Sequence, residues 1–213
     1  MAAPKRQPNN PDLITRMITP LFRLSHPHLF KAQAPNPNDK PKFQATMLLK
    51  KGTALMGATL ATESEPSRPI SLKDIIRNAK IQKYGAQENW PDDLKSCVAD
   101  GDDKSFHKNG EKEGYKGHYV IKMTSNEDQR PGVVNRKGVP ITEPGDIYPG
   151  CFCKAYVYAR VWEHPTGGHG VQLILDHIQK VEDGPSFGGK KPVEQVFGAI
   201  DDAPEETEEH DFM

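Results

Sequence analysis

Between Cys151 and Glu163 the residue types alternate with a period of two. The odd positions Cys151, Cys153, Ala155, Val157, Ala159 and Val161 are small or apolar, and the even positions are Phe152, Lys154, Tyr156, Tyr158, Arg160 and Trp162. A strand sends successive side chains to opposite faces, so this segment presents one small apolar face and one that mixes rings with cations. Rings stack on unpaired bases at about 1–3 kcal/mol per base, and Lys and Arg neutralise phosphates in a salt-dependent way. Such a face suits a single strand better than a duplex, whose bases are already stacked. Strands are rich in aromatics in any case, so the same face also fits packing under a helix or long loop, or a subunit contact with the cations solvated at its rim. The candidate nucleic-acid-binding residues are Phe152, Lys154, Tyr156, Tyr158, Arg160 and Trp162, joined by Lys122 on another strand and by Arg136 and Lys137 in a basic loop.

The chain ends in a second chemical feature. Residues 201–213 hold seven carboxylates, Asp201, Asp202, Glu205, Glu206, Glu208, Glu209 and Asp211, no Lys or Arg, and an aromatic at Phe212. With those seven set aside, 22 acidic residues face 28 basic ones, so the near-neutral whole hides a body of charge plus six. A basic body with an acidic end can hold a polyanion and also compete for it. A solubilising acidic end would have the same composition.

Other constellations are weaker. Gly184 to Lys190 reads G-P-S-F-G-G-K and matches the first seven positions of a phosphate loop, but Lys191 stands where the magnesium-binding hydroxyl belongs, and no β-α-β alternation surrounds it. It reads as the start of a linker. Asp100, Asp102 and Asp103 could hold a metal ion as in a nuclease, although Asp-Gly-Asp clusters are also turn-formers. Cys97, Cys151 and Cys153 are an odd count without secreted-domain spacing. They read as small buried thiols more readily than as a metal site shared with a histidine. No metal, cofactor or catalytic residue is expected.

These residues need positioning by a small framework. Hydrophobic residues are only 35%, with 19 Pro and 18 Gly, so a modest core with long connections is expected. The polar, Pro-rich residues 1–12 resemble neither a signal peptide nor a membrane anchor, and no run approaches 20 apolar residues, which predicts a soluble intracellular protein. Leu13 to Leu24 reads as a first strand and Ser25 to Pro41 as a long loop, with an Asn-Pro-Asn-Asp turn cluster at 36–39. Lys42 to Lys50 alternates as a half-buried strand. Leu72, Ile75, Ile76 and Ala79 share a helical face, with Ser71 and Asp74 as an N-terminal cap and Gly85 as the stop. Residues 86–117 read as an extended connection, His118 to Thr124 as a third strand, and Arg130 to Gly150 as a loop or hairpin. Cys151 to Glu163 and Val171 to Val181 form a closing hairpin around Thr166-Gly167-Gly168. Residues 184–213 read as flexible linker and tail.

The segments FRLSHPHLF (22–30), KFQATMLLKK (42–51), GHYVIK (117–122), RPGVV (130–134), DIYPGC (146–151) and GHGVQLILDHIQKV (168–181) occur in an order similar to a phage family of OB-fold single-stranded DNA-binding proteins, formerly a domain of unknown function. The likeness runs over most of residues 13–183. It implies an OB-fold barrel, in line with the all-β, five-stranded small barrel that the residues themselves suggest, with a helical insertion, long loops and a disordered acidic C-terminal tail. It also implies a non-enzymatic protein that coats single-stranded DNA during phage replication or recombination in the cytoplasm of the infected bacterium. It assigns no individual binding residue. The acidic end is similar to tails of bacterial and podophage single-stranded DNA-binding proteins that recruit replication enzymes, except that Met213 follows Phe212 here. Two alternatives stay open: a metal-dependent nuclease or nucleotide hydrolase, and a structural or adaptor protein whose aromatic face is a subunit contact.

Overall fold

The computed structural model describes residues 13–187 apart from 35, 37, 38, 64, 109, 165 and 166. The acidic-tail residues Asp201 to Phe212 lie outside this range, as do residues 1–12. The described residues form ten strands in chain order: β1 (Arg16–Ile18), β2 (Phe22–Gln33), β3 (Lys42–Lys50), β4 (Met56–Ala58), β5 (Pro69–Ser71), β6 (Val98–Asp100), β7 (His118–Asn126), β8 (Gly132–Val134), β9 (Phe152–His164) and β10 (Gly168–Glu182). One α-helix, α1 (Leu72–Tyr84), lies between β5 and β6.

The pairings close on themselves. β2 pairs antiparallel with β3, β3 with β7, β7 runs parallel to β10, β10 returns antiparallel along β9, and β9 meets β2 again through Phe22↔Cys153 and Arg23↔Phe152. Five strands therefore form a ring around one core. Small strands extend it: β1, β4 and β5 continue from the middle of β9, β6 caps the edge of β7, and β8 runs beside β10.

The core is the set of inward positions on this ring. Cys151, Cys153, Ala155, Val157 and Ala159 from the β9 segment meet Ala45, Met47 and Leu49 of β3, Ile121 and Met123 of β7, and Leu173, Leu175 and Ile178 of β10, all buried. The small odd positions of β9 leave room for the larger β3, β7 and β10 side chains, and the even positions are thereby turned outward. Leu72, Ile75 and Ala79 of α1 join the same core. Ser71 Oγ accepts from Asp74 N at 3.1 Å and Gly85 N donates to Ile81 O at 2.8 Å, so both helix ends are satisfied where expected. Asn78 and Gln82 donate to the carbonyls of Ile14 and Leu13, tying the helix to the start of the described chain.

Three expectations are corrected. The first strand is not continuous over 13–24: β1 ends at Ile18 and β2 begins at Phe22, because Pro20 has no N–H to donate to a ladder. Buried Thr19 bridges the break, its amide donating to Ala155 O and its hydroxyl accepting from Ala155 N. The expected loop over 25–41 is strand as far as Gln33. Pro27 is tolerated because the register jumps from Ser25↔Thr46 to His28↔Gln44, so His26 and Pro27 face a single residue, Ala45, in a β-bulge. The chain also stays attached beyond Asp183. Gly184 is buried, Phe187 N donates to Pro149 O at 3.0 Å, and Arg23 Nη2 donates to Pro185 O at 2.6 Å, so residues 184–187 form a strap docked on the body. Gly184 is required by contact, since a Cβ there would lie 2.5 Å from the Gly150 carbonyl oxygen.

Candidate nucleic-acid interface

The even side chains of β9 point outward. Phe152, Tyr156, Tyr158 and Trp162 are half-buried, while Lys154 and Arg160 are exposed. Their cross-strand neighbours on β10 are Gln179 beside Lys154, His177 beside Tyr156, Ile174 beside Tyr158, Gln172 beside Arg160 and Gly170 beside Trp162. Tyr156 stacks on His177, with ring centroids 6.5 Å apart and planes 10° apart.

The C-terminal half of this face opens into a groove. A cavity of about 460 Å³ is bordered by Tyr158, Arg160 and Trp162, by Gln172 and Ile174 of β10, and by Lys42 and Asn126 at the ends of β3 and β7. Gln172 also borders a second cavity, of about 450 Å³, whose walls include Gln44 and Thr46 of β3, Lys122 and Thr124 of β7, and Lys112 and His26. On the helix side, Tyr158, Arg160 and Trp162 also border a cavity with Gln82 and Lys83. Shared wall residues place these cavities side by side along a path from α1 over β9, β10, β7 and β3 to the bulge of β2. Of the sequence-derived candidates, the fold brings Tyr158, Arg160, Trp162 and Lys122 to this path.

The remaining candidates lie toward the other end of β9. Arg136 and Lys137 are exposed in the turn after β8, where the carbonyl of Arg136 accepts from Gln179 Nε2 at 3.3 Å, which sets them near Lys154. Phe152 is partly covered: the Arg23 guanidinium lies 4.9 Å from its ring centre and Gly184 approaches its edge.

Cations cover the rings that face the groove. Arg16 lies 4.5 Å from the centre of Tyr158 and holds Asp176 at 2.8 Å, and Lys95 lies 5.7 Å from the centre of Trp162. Lys95 is held there because its backbone bridges β10 at Gly170 and its ammonium donates to Gly167 O. Carboxylates near the path are engaged: Glu163 pairs with Lys83 at 2.8 Å, and Asp93 with His169 at 2.7 Å. Arg16, Lys95, Lys112 and His26 carry no periodic signature in the sequence. Gln44 and Thr46 do, as outward positions of an alternating strand.

The other chemical groups take structural roles. Asp100 and Asp102 both pair with Lys51, Asp102 also accepts from Gly117 N, and Asp103 accepts from Ser105 N, so the acidic cluster organises its own loop. The hydrogen bonds from Lys51 hold the carboxyls of Asp100 and Asp102 below the usual range. Cys151 and Cys153 lie fully buried with Sγ atoms 3.6 Å apart, whereas Cys97 lines the groove wall, its thiol pushed up to about 11 by burial. Among the described residues no group of three or more His, Cys, Asp or Glu is placed to hold a metal ion, and no helix is long and apolar enough to cross a membrane.

The fold has solved counterparts. The single-stranded DNA-binding protein from bacteriophage Enc34, solved in complex with ssDNA, superposes with a TM-score of 0.58 at 18% identity, covering 87% of this chain and 100% of that one. A C-terminally truncated form of the Enc34 protein gives 0.55 at 21% identity, over 81% and 89% of the two chains. The single-stranded DNA-binding protein gp2.5 of bacteriophage T7 gives 0.51 at 13% identity, over 84% and 98%. No curated protein sequence matches the chain significantly. The family model described as Enterobacter phage Enc34, ssDNA-binding protein, matches residues 15–213, and the chain belongs to that family.

Proposed function

We propose that this protein binds single-stranded DNA, without strong sequence preference, across the outer face of a five-stranded OB barrel made of β2, β3, β7, β10 and β9. The order of pairings, with its one parallel contact between the third and fifth barrel strands, supports that reading of the ring. In OB folds the second and third strands carry the oligonucleotide, and here those are β3 and β7, whose Gln44, Thr46, Lys122 and Thr124 line the groove.

The observation that carries the proposal is that Gln172 borders both cavities, one lined by the ring-bearing segment Tyr158–Arg160–Trp162 and the other by the cations Lys122 and Lys112. Bases stack on Trp162 and Tyr158, with Arg16 and Lys95 moving aside to contact phosphates. Lys154, Arg136 and Lys137 form a basic flank for strand leaving the groove, and Phe152 and Tyr156 extend the platform toward it. The protein acts in phage DNA replication or recombination, in the cytoplasm of the host, as a binding protein without catalytic activity or cofactor. Its acidic tail, Asp201 to Asp211 with Phe212, recruits phage or host replication and recombination proteins and competes weakly with DNA for the groove. The described chain ends at Phe187 beside His26 and Lys112.

Titration of labelled oligo-dT, duplex DNA and RNA at two salt concentrations tests this. Preferential binding of oligo-dT is expected, with a log–log salt slope of about −3 to −4 from five phosphate contacts at about 0.7 each. Indifference to unpaired oligonucleotides in dilute buffer ends the proposal, and nucleic-acid cleavage in magnesium that EDTA abolishes would replace it with an enzyme.

A further inference from the structure

His26 lines the groove and sits in an unusual backbone. At the β2 bulge its φ is +46°, the left-handed region, and it is the one non-glycine residue with positive φ among the described residues. Asn, Asp and His enter that region more readily than other residues. What the bulge achieves is placement. His26 borders both the groove cavity, with Gln44, Lys112 and Lys122, and a smaller cavity shared with Glu113 and Phe187. Its Nδ1 lies 2.7 Å from Ser25 Oγ and 3.2 Å from Tyr115 Oη, with the two rings edge to face.

The charged groups around it come from three elements. β2 supplies His28, the segment before β7 supplies Lys112 and Glu113, and β7 supplies Lys122. The residue is exposed, yet partial burial of the ring, then the charges of Lys112, His28 and Lys122, hold its pKa below the ordinary histidine value. In the free protein these surroundings therefore favour the neutral ring. A phosphate seated between Lys112 and Lys122 reverses the sign of that local field and favours the imidazolium. The hydrogen-bond partners permit the change: Ser25 and Tyr115 are hydroxyls that can donate to a neutral Nδ1 or accept from a protonated one. When Nδ1 accepts in the neutral ring, Nε2 already carries an N–H for a phosphate oxygen, and the added proton goes to Nδ1 and supplies the positive charge.

We propose that His26, Lys112 and Lys122 form a phosphate subsite at the bulge end of the groove, and that His26 takes up a proton when a nucleic-acid phosphate occupies it. The inference rests on the single-stranded DNA reading above and adds a proton to the binding equilibrium. The pKa of His26 is raised in the complex. The extra affinity is therefore fully present below the free-protein pKa and is lost as pH rises through that of the complex, with a slope of at most one log unit per pH unit for one proton.

The full-length protein and His26→Asn are titrated with oligo-dT at fixed salt from pH 5.5 to 8.5. Asparagine tolerates the left-handed backbone, so the bulge survives. Each protein's affinity at pH 8 serves as the reference for its own pH profile. Between pH 8 and pH 6 the unmodified protein should tighten about five- to tenfold more than the variant. Calorimetry of the unmodified protein at pH 6.5 in two buffers of different ionisation enthalpy should show net proton uptake on binding, larger than that of the variant. Parallel pH profiles, or no proton uptake by the unmodified protein, overturn the role of His26 and leave DNA binding standing. Failure to bind oligo-dT at any pH overturns the functional reading itself.

Discussion

The guanidinium of Arg23 lies 4.5 Å from the ring centre of Phe187, on the strap, while its Nε donates to Gly150 O and its Nη2 to Pro185 O, both at 2.6 Å. One side chain on β2 thus fastens residues 184–187 next to the groove mouth. Phe187 also packs on the minor cluster of Leu48, Tyr115 and Val120. Hydrogen bonds from a charged group contribute about 1.5–3 kcal/mol, and an exposed cation–π contact about 0.5–1. Arg23→Ala should lower stability by about 2–3 kcal/mol in urea unfolding and expose residues 184–187 to limited proteolysis. Unchanged cleavage would mean that the strap is held by other contacts.

Trp162 and Tyr158 border the groove, so Trp162→Ala and Tyr158→Ala should each weaken oligo-dT binding by about 1–3 kcal/mol with the circular dichroism spectrum retained. Tyr156→Ala tests how far the platform extends, because Tyr156 is already stacked on His177. Normal binding by folded Trp162→Ala and Tyr158→Ala proteins would put the stacking surface elsewhere.

Cations inside and outside the groove should separate by oligonucleotide length. Lys122→Gln should reduce the salt slope by about 0.7, one phosphate contact, on short and long oligonucleotides alike. Arg136→Gln with Lys137→Gln should weaken only those long enough to pass Lys154. A loss on the shortest oligonucleotides would route the strand along the N-terminal half of β9 instead.

Removing residues 201–213 takes away seven carboxylates and leaves a body of charge plus six. Oligo-dT affinity should rise in low salt and converge with that of the full chain as salt screens the competition. Pull-down of replication or recombination proteins should be lost. Equal affinities in low salt would count against competition by the tail.

Local patterns whose physics spans a few residues were legible in the amino-acid order alone. The two faces of Phe152–His164 follow from a period of two, the helix Leu72–Tyr84 from its apolar face and the Ser71, Asp74 and Gly85 caps, and the charge division from composition. Which residues converge depends on the folded chain. Pro27 reads as a loop marker in isolation, but at a bulge its missing N–H disrupts no ladder, so β2 runs on and carries His26 to the groove. Lys112 and Lys122 join it, and Arg16 and Lys95 come over Tyr158 and Trp162, through pairings between strands distant in sequence. No short-range pattern encodes such contacts, because they exist only once the ring has closed.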